Sequence, residues 1–249
     1  MDTFAKPAFV GPVTTSPVFI LSPPRTGSTL LRCVLDSHSQ IYAPHELHLG
    51  DLCVEPTHRL TLRSLEELGV TPRDLENLLW DSVMQRLLAQ SGKSVFVDKT
   101  PSHLFHWRRI VEMWPKAKFI LLVRHPQRIL RSYREHLGAD GHLERFMQYL
   151  EVMQEARETL TGFHLRYEEL TTDPARVVHD LCDFLGVAWE PEMLDYGHRD
   201  HGSMSVDVGD ATEAFKSGVI QRNERPLPVD GLAPVLAPFC RSWGYSLDG

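Results

Sequence analysis

The sequence lacks the features that mark several classes of protein. No apolar run reaches the about 18 residues that span a bilayer, and residues 1 to 17 contain neither a basic start nor an apolar stretch of signal-peptide length. The four cysteines lie far apart without a C-x-x-C pair, which disfavours both a structural zinc site and a disulfide framework. These absences predict a cytoplasmic protein without a membrane partner.

Positive charge is also scarce. The chain carries 26 Lys and Arg residues against 33 Asp and Glu residues, which gives a formal net charge of −7. Proteins that bind nucleic acids or acidic polysaccharides need a broad cationic surface. We therefore expect no nucleic-acid partner, and any bound anion must be held by a local group of residues.

Four short β-like segments, each followed by a helical pattern, indicate the fold class. They are VFIL (18–21), SVFVD (94–98), KFILLV (118–123) and FHLRY (163–167). Strands that alternate with helices in this way predict an α/β protein with a parallel sheet. We interpret residues 1–249 as one domain, with an N-terminal extension over 1–16. The stretch 190–234 lacks periodicity and is either a lid or binding loop or a plain surface connection.

Apolar stripes at helical spacing predict which helix faces join the core. One stripe lies between the first two strands and a second lies before residue 94. A third follows the last strand. Their members are Leu30, Leu31, Val34 and Leu35; Leu75, Leu78, Leu79, Val83 and Leu87; and Val177, Val178, Leu181 and Leu185.

The segment VFILSPPRTGSTLL (18–31) has the pattern of a strand, a tight loop and a helix. Such a loop commonly binds a phosphate at the helix N-terminus. It is not a nucleoside triphosphate loop, because Ser28 stands where the essential lysine of that motif belongs. Arg25 would reach an anion from the loop side, and the N–H groups of residues 27–29 would reach it from the helix. A simple helix cap is the alternative interpretation.

Three further polar groups follow predicted strands. Arg124 follows KFILLV, and Ser132 lies eight residues later on a helix that Pro126 begins. Lys99 follows the second strand in VFVDKTP, and Tyr167 ends the fourth. Open α/β sheets bind ligands at the carboxyl ends of their strands, so we expect these groups to lie close together.

These motifs, in this order, resemble the sulfotransferases that use 3′-phosphoadenosine 5′-phosphosulfate (PAPS). The DKTP and PHEL runs resemble the branch with tyrosylprotein and bacterial sulfotransferases, including polyketide-associated ones. The resemblance implies a P-loop-like three-layer fold with a central parallel sheet flanked by helices. It also implies a loop for the 5′-phosphosulfate, formed here by Pro24, Arg25, Thr26, Gly27, Ser28 and Thr29.

The resemblance implies roles for residues outside that loop. Arg124 and Ser132 would hold the 3′-phosphate, and Tyr167, in YEEL, would lie against the adenine. A late loop that closes on the 3′-phosphate is matched loosely by Lys216, Ser217 and Gly218, where Ser217 interrupts the family's Lys-Gly pair.

Catalysis requires a base and cations. Arg25 and Lys99 are our candidates for neutralising charge on the sulfuryl and leaving oxygens. Glu46, in IYAPHELHL, stands where the branch carries its proposed carboxylate base. A helix N-terminal carboxylate is the alternative interpretation of Glu46. His48 is the reserve base and, with Glu46, a candidate acceptor-binding residue.

The predicted function is therefore transfer of a sulfuryl group from PAPS to a hydroxyl, with release of 3′-phosphoadenosine 5′-phosphate (PAP) and no metal. The acceptor would be a small alcohol or phenol, or a hydroxyacyl group on a carrier protein. Two alternatives stay open at this point. One is a P-loop kinase with Asp98 on magnesium, and the other is a PAP-binding module without catalytic activity.

Overall fold

Five parallel strands form the centre of the structure. A computed structural model describes residues 14, 16–137, 143–199, 201, 217–221 and 233–247. The strands are β1 (Val18–Leu21), β2 (Ile41–Tyr42), β3 (Val95–Asp98), β4 (Lys118–Val123) and β5 (Phe163–Arg166). Their order in the sheet is β2-β3-β1-β4-β5, and every pairing is parallel. The predicted α/β class is confirmed.

Helices connect the strands and flank the sheet. The helices among the described residues are α1 (Ser28–Asp36), α2 (Arg59–Leu68), α3 (Pro72–Ser91), α4 (His103–Met113), α5 (Pro126–Leu137), α6 (Leu143–Thr159), α7 (Tyr167–Thr172), α8 (Pro174–Leu185) and α9 (Ala237–Ser242). Short 3-10 turns occupy Leu49–Asp51, Pro191–Leu194, Tyr196–His198 and Pro234–Leu236. Pro126 begins α5, as the sequence predicts.

Alternate residues of the strands build separate cores on the two faces of the sheet. Phe19 and Leu21 of β1 join the core that α3, α4, α5 and α6 cover. Val18 and Ile20, which point to the other face, join the core beneath α1 and α8. A strand buried on both faces must be apolar at every position, which explains the unbroken VFIL run. The predicted three-layer arrangement is confirmed.

The strand order places a ligand crevice between β1 and β4. The chain leaves β1 towards β2 and β3 on one side, whereas β4 continues to β5 on the other. Loops at such a switch point diverge and leave a crevice at the carboxyl ends of the strands. The loop at residues 24–27 and the turn at residues 124–125 lie on this edge.

Three expectations about local structure were wrong or incomplete. Neither the short strand β2 nor the helix α2 was predicted, because the sequence around α2, from about residue 49 to 71, shows no clear apolar periodicity. On α3, the predicted stripe is wrong at Leu78 and Leu79, which are each 47% exposed, whereas Val83 and Leu87 pack against the core as predicted. The helix instead buries Trp80 and Met84, together with two carboxylates. These carboxylates are Glu76 and Asp81, and both have partners. Glu76 pairs with Arg109, and Asp81 accepts hydrogen bonds from Trp114 and Gln85.

Several expectations fall partly or wholly on residues that are not described. Of the proposed extension 1–16, the structure describes only Thr14 and Ser16, and of 190–234 it describes 190–199, 201, 217–221 and 233–234. The single domain over 1–249 and the lid at 190–234 stay predictions. Across the described parts of the chain, no helix has the length and apolar character that crossing a membrane requires.

Candidate active site

The loop after β1 is shaped by two residues with left-handed backbone conformations. Arg25 has φ 67° and Gly27 has φ 94°. A Cβ atom on Gly27 would lie 2.3 Å from Cδ2 of Tyr167, so only glycine fits there. Thr26 is fully buried, and its hydroxyl donates to the Pro23 carbonyl at 2.6 Å. The Thr26 side chain therefore fixes the loop, whose last residue leads directly into α1.

Arg25 connects the two other groups that were predicted to share a phosphate. Its Nε donates to Oγ of Ser132 on α5 at 3.1 Å. Its carbonyl oxygen accepts a hydrogen bond from Nη1 of Arg124 at 3.2 Å. Arg25, Arg124 and Ser132 thus lie together at the β1–β4 crevice, although they come from three separate segments.

Arg124 lies over an aromatic ring and keeps one guanidinium nitrogen available to bind an anion. Its guanidinium carbon is 4.5 Å from the ring centroid of Tyr167, which is the first residue of α7 rather than the end of β5. Nε of Arg124 is buried without a hydrogen-bond partner among the described residues. Burial lowers the pKa of Arg124, because a desolvated cation lacks the stabilisation that water or an anion would supply.

Lys99 is the most deeply buried cation of the site. Its side chain is 2% exposed, and its ammonium donates to Oγ1 of Thr29 at 3.3 Å. The ammonium also forms an ion pair with Oε1 of Glu46. Burial lowers the pKa of Lys99, and the Glu46 carboxylate opposes that effect. This one side chain therefore joins the loop after β1 to the segment that carries Glu46.

Glu46 lies in a loop between β2 and the turn at Leu49–Asp51, so the alternative interpretation as a helix N-terminal carboxylate is wrong. Its side chain is 11% exposed, and Oε2 lies 3.3 Å from Nε2 of His48. His48 adopts a left-handed backbone, with φ 52°, and its other ring nitrogen is 3.6 Å from Asp51. Glu46 therefore has Lys99 on one side and a half-exposed imidazole on the other.

Sequence reasoning missed Thr100, which holds the Glu46 loop against β3. Its Oγ1 accepts a hydrogen bond from Leu47 N at 3.2 Å and donates to Oδ1 of Asp98 at 3.1 Å. The other oxygen of Asp98 lies 2.9 Å from Nε2 of the buried His103. The signal was available, because Thr100 directly follows Asp98 and Lys99 at the carboxyl end of a strand.

The predicted late loop is described only in part. Ser217 and Gly218 belong to a short turn, and Lys216 lies outside the described residues. The Gly218 carbonyl accepts a hydrogen bond from Gly197 N at 2.8 Å. A Cβ atom on Gly218 would lie 2.6 Å from Cα of Gly197, so the backbones of these two segments are in direct contact. Within the described ranges, no group of three or more His, Cys, Asp or Glu residues could hold a metal ion.

Comparison with known proteins identifies the family. The profile described as "Sulfotransferase family" matches residues 17–191. The chain belongs to the sulfotransferase family. This membership confirms the resemblance deduced from the motifs and removes the kinase alternative, in which Asp98 would bind magnesium.

Three similar proteins illustrate the range of the family. Protein-tyrosine sulfotransferase 1 of Danio rerio is 23% identical over 254 residues, which cover 92% of this chain and 72% of that protein. The sulfotransferase domain of the Synechococcus PCC 7002 olefin synthase is 25% identical, with a TM-score of 0.66 and coverage of 99% of this chain and 100% of the domain. A mouse sulfotransferase complexed with PAP shares the fold at 13% identity and a TM-score of 0.52, over 93% of this chain and 84% of that one. The chain spans between 26% and 72% of the length of several curated relatives that it matches.

Proposed function

We propose that this chain is a PAPS-dependent O-sulfotransferase, which transfers a sulfuryl group to a hydroxyl and releases PAP. The observation that carries the proposal is the position of Lys99. Its ammonium contacts Thr29 in the loop suited to an anion and Glu46, a carboxylate suited to accept a proton. A donor site and a base thus meet at one buried cation.

The residues of the crevice fit the charged groups of PAPS. Nε of Arg124 and Oγ of Ser22 are buried without hydrogen-bond partners among the described residues. Buried polar atoms without partners are costly, and the oxygens of a bound nucleotide would satisfy them. The contact of Gly27 with Tyr167 brings the phosphate loop beside an aromatic ring. The PAP complex of the mouse protein, which has the same fold, supports this choice of donor.

Each end of the donor has its own group of residues in this proposal. Arg25 and the N–H groups of residues 27–29 bind the 5′-phosphosulfate at the N-terminus of α1. Arg124 and Ser132 bind the 3′-phosphate, and Tyr167 lies against the adenine. The late loop of Lys216, Ser217 and Gly218 completes the 3′-phosphate site.

The chemistry requires a base and charge neutralisation. PAPS supplies a sulfuryl group bonded to its 5′-phosphate. Glu46 takes the proton of the acceptor hydroxyl as the acceptor oxygen bonds to sulfur and the bond between sulfur and the phosphate oxygen breaks. Lys99 and Arg25 neutralise the charge on the sulfuryl and leaving oxygens. His48 and Glu46 orient the acceptor, and His48 is the alternative base.

The acceptor in this proposal is a small alcohol or phenol, or a hydroxyacyl group on a carrier protein. The net charge of −7 disfavours polyanionic acceptors. A PAP-binding module without catalytic activity is the remaining alternative. The buried Glu46–Lys99 pair favours the enzyme, because a binding module has no need of a base beside its donor loop.

Two measurements test the proposal. PAP without magnesium should raise the melting temperature, because a ligand at 100 times its Kd stabilises the folded state by about 2.7 kcal/mol. PAPS and a panel of alcohols, phenols and hydroxyacyl carriers should give products with an added sulfuryl group by mass spectrometry. Stabilisation by magnesium-ATP alone would contradict donor binding. PAP binding without any product across a broad panel would favour the binding module.

A further inference from the structure

The C-terminal strap, defined as residues 233–247, lies beyond the part of the chain that matches the family profile. It is anchored in the core. Leu236, Cys240 and Trp243 are buried, and Nε1 of Trp243 donates to Oε1 of Gln154 on α6 at 2.8 Å. Gly244 then turns the chain with φ 78°. The strap is therefore held by its own buried side chains and by its contact with α6.

The strap contacts the turn between β4 and α5. Its first residue, Ala233, donates from its N–H to Oε1 of Gln127 on α5 at 3.3 Å. At its other end, Nη1 of Arg166 donates to the Gly244 carbonyl at 3.1 Å. The ring of Tyr245 lies 5.1 Å from the ring of His125 at an angle of 61°. The strap thus contacts the turn at residues 124–125, the start of α5 and the end of β5.

Tyr245 makes the most directional of these contacts. Its hydroxyl donates to Oε2 of Glu168 on α7 at 2.6 Å. Partial burial and the Glu168 carboxylate both raise the pKa of Tyr245, so the phenol keeps its proton and remains a donor. A hydrogen bond to a carboxylate is among the stronger ones in proteins.

Glu168 transmits this contact to the donor site. Its second oxygen, Oε1, accepts a hydrogen bond from the backbone N–H of His125 at 3.2 Å. His125 follows Arg124 directly, and Glu168 follows Tyr167, over whose ring Arg124 stacks. One carboxylate therefore links the strap to the backbone that carries Arg124.

We propose that Tyr245 is a positioning residue for the 3′-phosphate half of the donor site and acts through Glu168 on the backbone beside Arg124. This inference rests on the function proposed above. An anion held by one guanidinium is sensitive to displacements of a fraction of an ångström, so a looser turn weakens that contact first. The 5′-phosphosulfate loop lies between β1 and α1 and makes no direct contact with the strap among the contacts described, although the Arg25 carbonyl accepts a hydrogen bond from Arg124.

The test compares two nucleotides on the full chain. Tyr245→Phe removes the hydroxyl and keeps the ring. By calorimetry, the Kd for PAP should rise about 3- to 30-fold, because one hydrogen bond to a charged group is lost and its effect passes through the backbone. The Kd for adenosine 5′-monophosphate, which lacks the 3′-phosphate, should change less than about twofold. A merely structural role would move both values alike.

Two further variants make the result decisive. Tyr149→Phe removes a hydroxyl from a buried tyrosine on α6 that packs against Phe105, and it should leave both affinities unchanged. Glu168→Gln keeps the side-chain length but is neutral and has only one oxygen that accepts a hydrogen bond, so it should reproduce the selective loss for PAP. It decides the matter if Tyr245→Phe does not fold. Equal losses for both nucleotides, or none, overturn the inference. A wild-type protein that fails to bind PAP overturns the proposed function and this inference together.

Discussion

The two sides of the candidate site are built in different ways. The donor side consists of residues in the loops and helices that follow β1, β4 and β5, and Arg25 contacts both Ser132 and Arg124 across these segments. The acceptor side consists of loop residues between β2 and α2, where His48 is half exposed. No residue of α2 is buried. Lys99, at the end of β3, is the point where the two sides meet.

This contrast has a structural cause. The register of a parallel sheet fixes where its strands end, so side chains on those ends keep their relative positions. The loop on the acceptor side has no strand register and is held instead by side-chain contacts, among them Thr100 with Leu47, Ser102 with Asp51 and Arg109 with Gly50. Loops on a rigid scaffold can differ without cost to the core. We expect donor binding to depend on the sheet and acceptor choice to depend on the loop.

The largest effect should come from Glu46→Gln, which separates chemistry from donor binding. The amide keeps the shape but cannot accept the proton, so turnover should fall by about 10² to 10⁴. PAP affinity should stay nearly unchanged, because the donor side is anchored elsewhere. Steady-state kinetics with an aliphatic alcohol measures turnover, and calorimetry measures PAP affinity. Glu67→Gln, on exposed α2, is the control. Normal turnover in Glu46→Gln would make His48 the next base to test.

Lys99→Ala should affect both the donor side and the acceptor side, and turnover should fall more than PAP affinity does. Loss of one preorganised donor to developing charge lowers turnover by about 10² to 10³. The partly buried Glu46 also loses its partner, so the melting temperature should fall. Lys116→Ala, at an exposed position, should change neither quantity. If turnover survives while only stability drops, Lys99 is a structural partner of Glu46 and not a catalytic cation.

The sequence predicts the donor side far better than the acceptor side. Arg124 follows β4, a buried strand whose apolar run marks where it ends. Tyr167 follows β5, an edge strand in which only Leu165 is buried, and the helical pattern after it marks its end. The Arg25–Ser132 and Tyr245–Glu168 contacts join residues far apart in the chain, and no local pattern indicates such pairs. The stripe on α3 fails for a related reason. That helix buries Glu76 and Asp81 because Arg109 and Trp114 face them, so apolar periodicity alone misplaces part of the buried face.

Arg124→Ala should weaken the donor side alone. The loss in PAP affinity should be about 2 to 4 kcal/mol, the range for truncating one partner of a buried charged contact. Adenosine 5′-phosphosulfate, which lacks the 3′-phosphate, should lose much less. Arg131→Ala removes an exposed arginine of α5, the helix that follows Arg124, and serves as the control in calorimetric titrations. Equal losses for both nucleotides would remove Arg124 from the 3′-phosphate site.

The smallest effect should come from Leu79→Ala, which tests whether α3 leaves an apolar face unburied beside the acceptor side. Leu79 is 47% exposed, whereas Leu31 on α1 is fully buried. A buried leucine costs about 2 to 5 kcal/mol when cut to alanine, because transfer free energy is lost and a cavity remains. Truncation of the half-exposed Leu79 loses only part of this transfer free energy and leaves no cavity. Leu79→Ala should therefore lower the free energy of unfolding by less than about 1 kcal/mol. Urea unfolding of Leu79→Ala and of Leu31→Ala measures the loss in the free energy of unfolding for each variant. A loss at Leu79 that equals the loss at Leu31 would mean that this face is covered in solution, and the acceptor side would then be as tightly packed as the donor side.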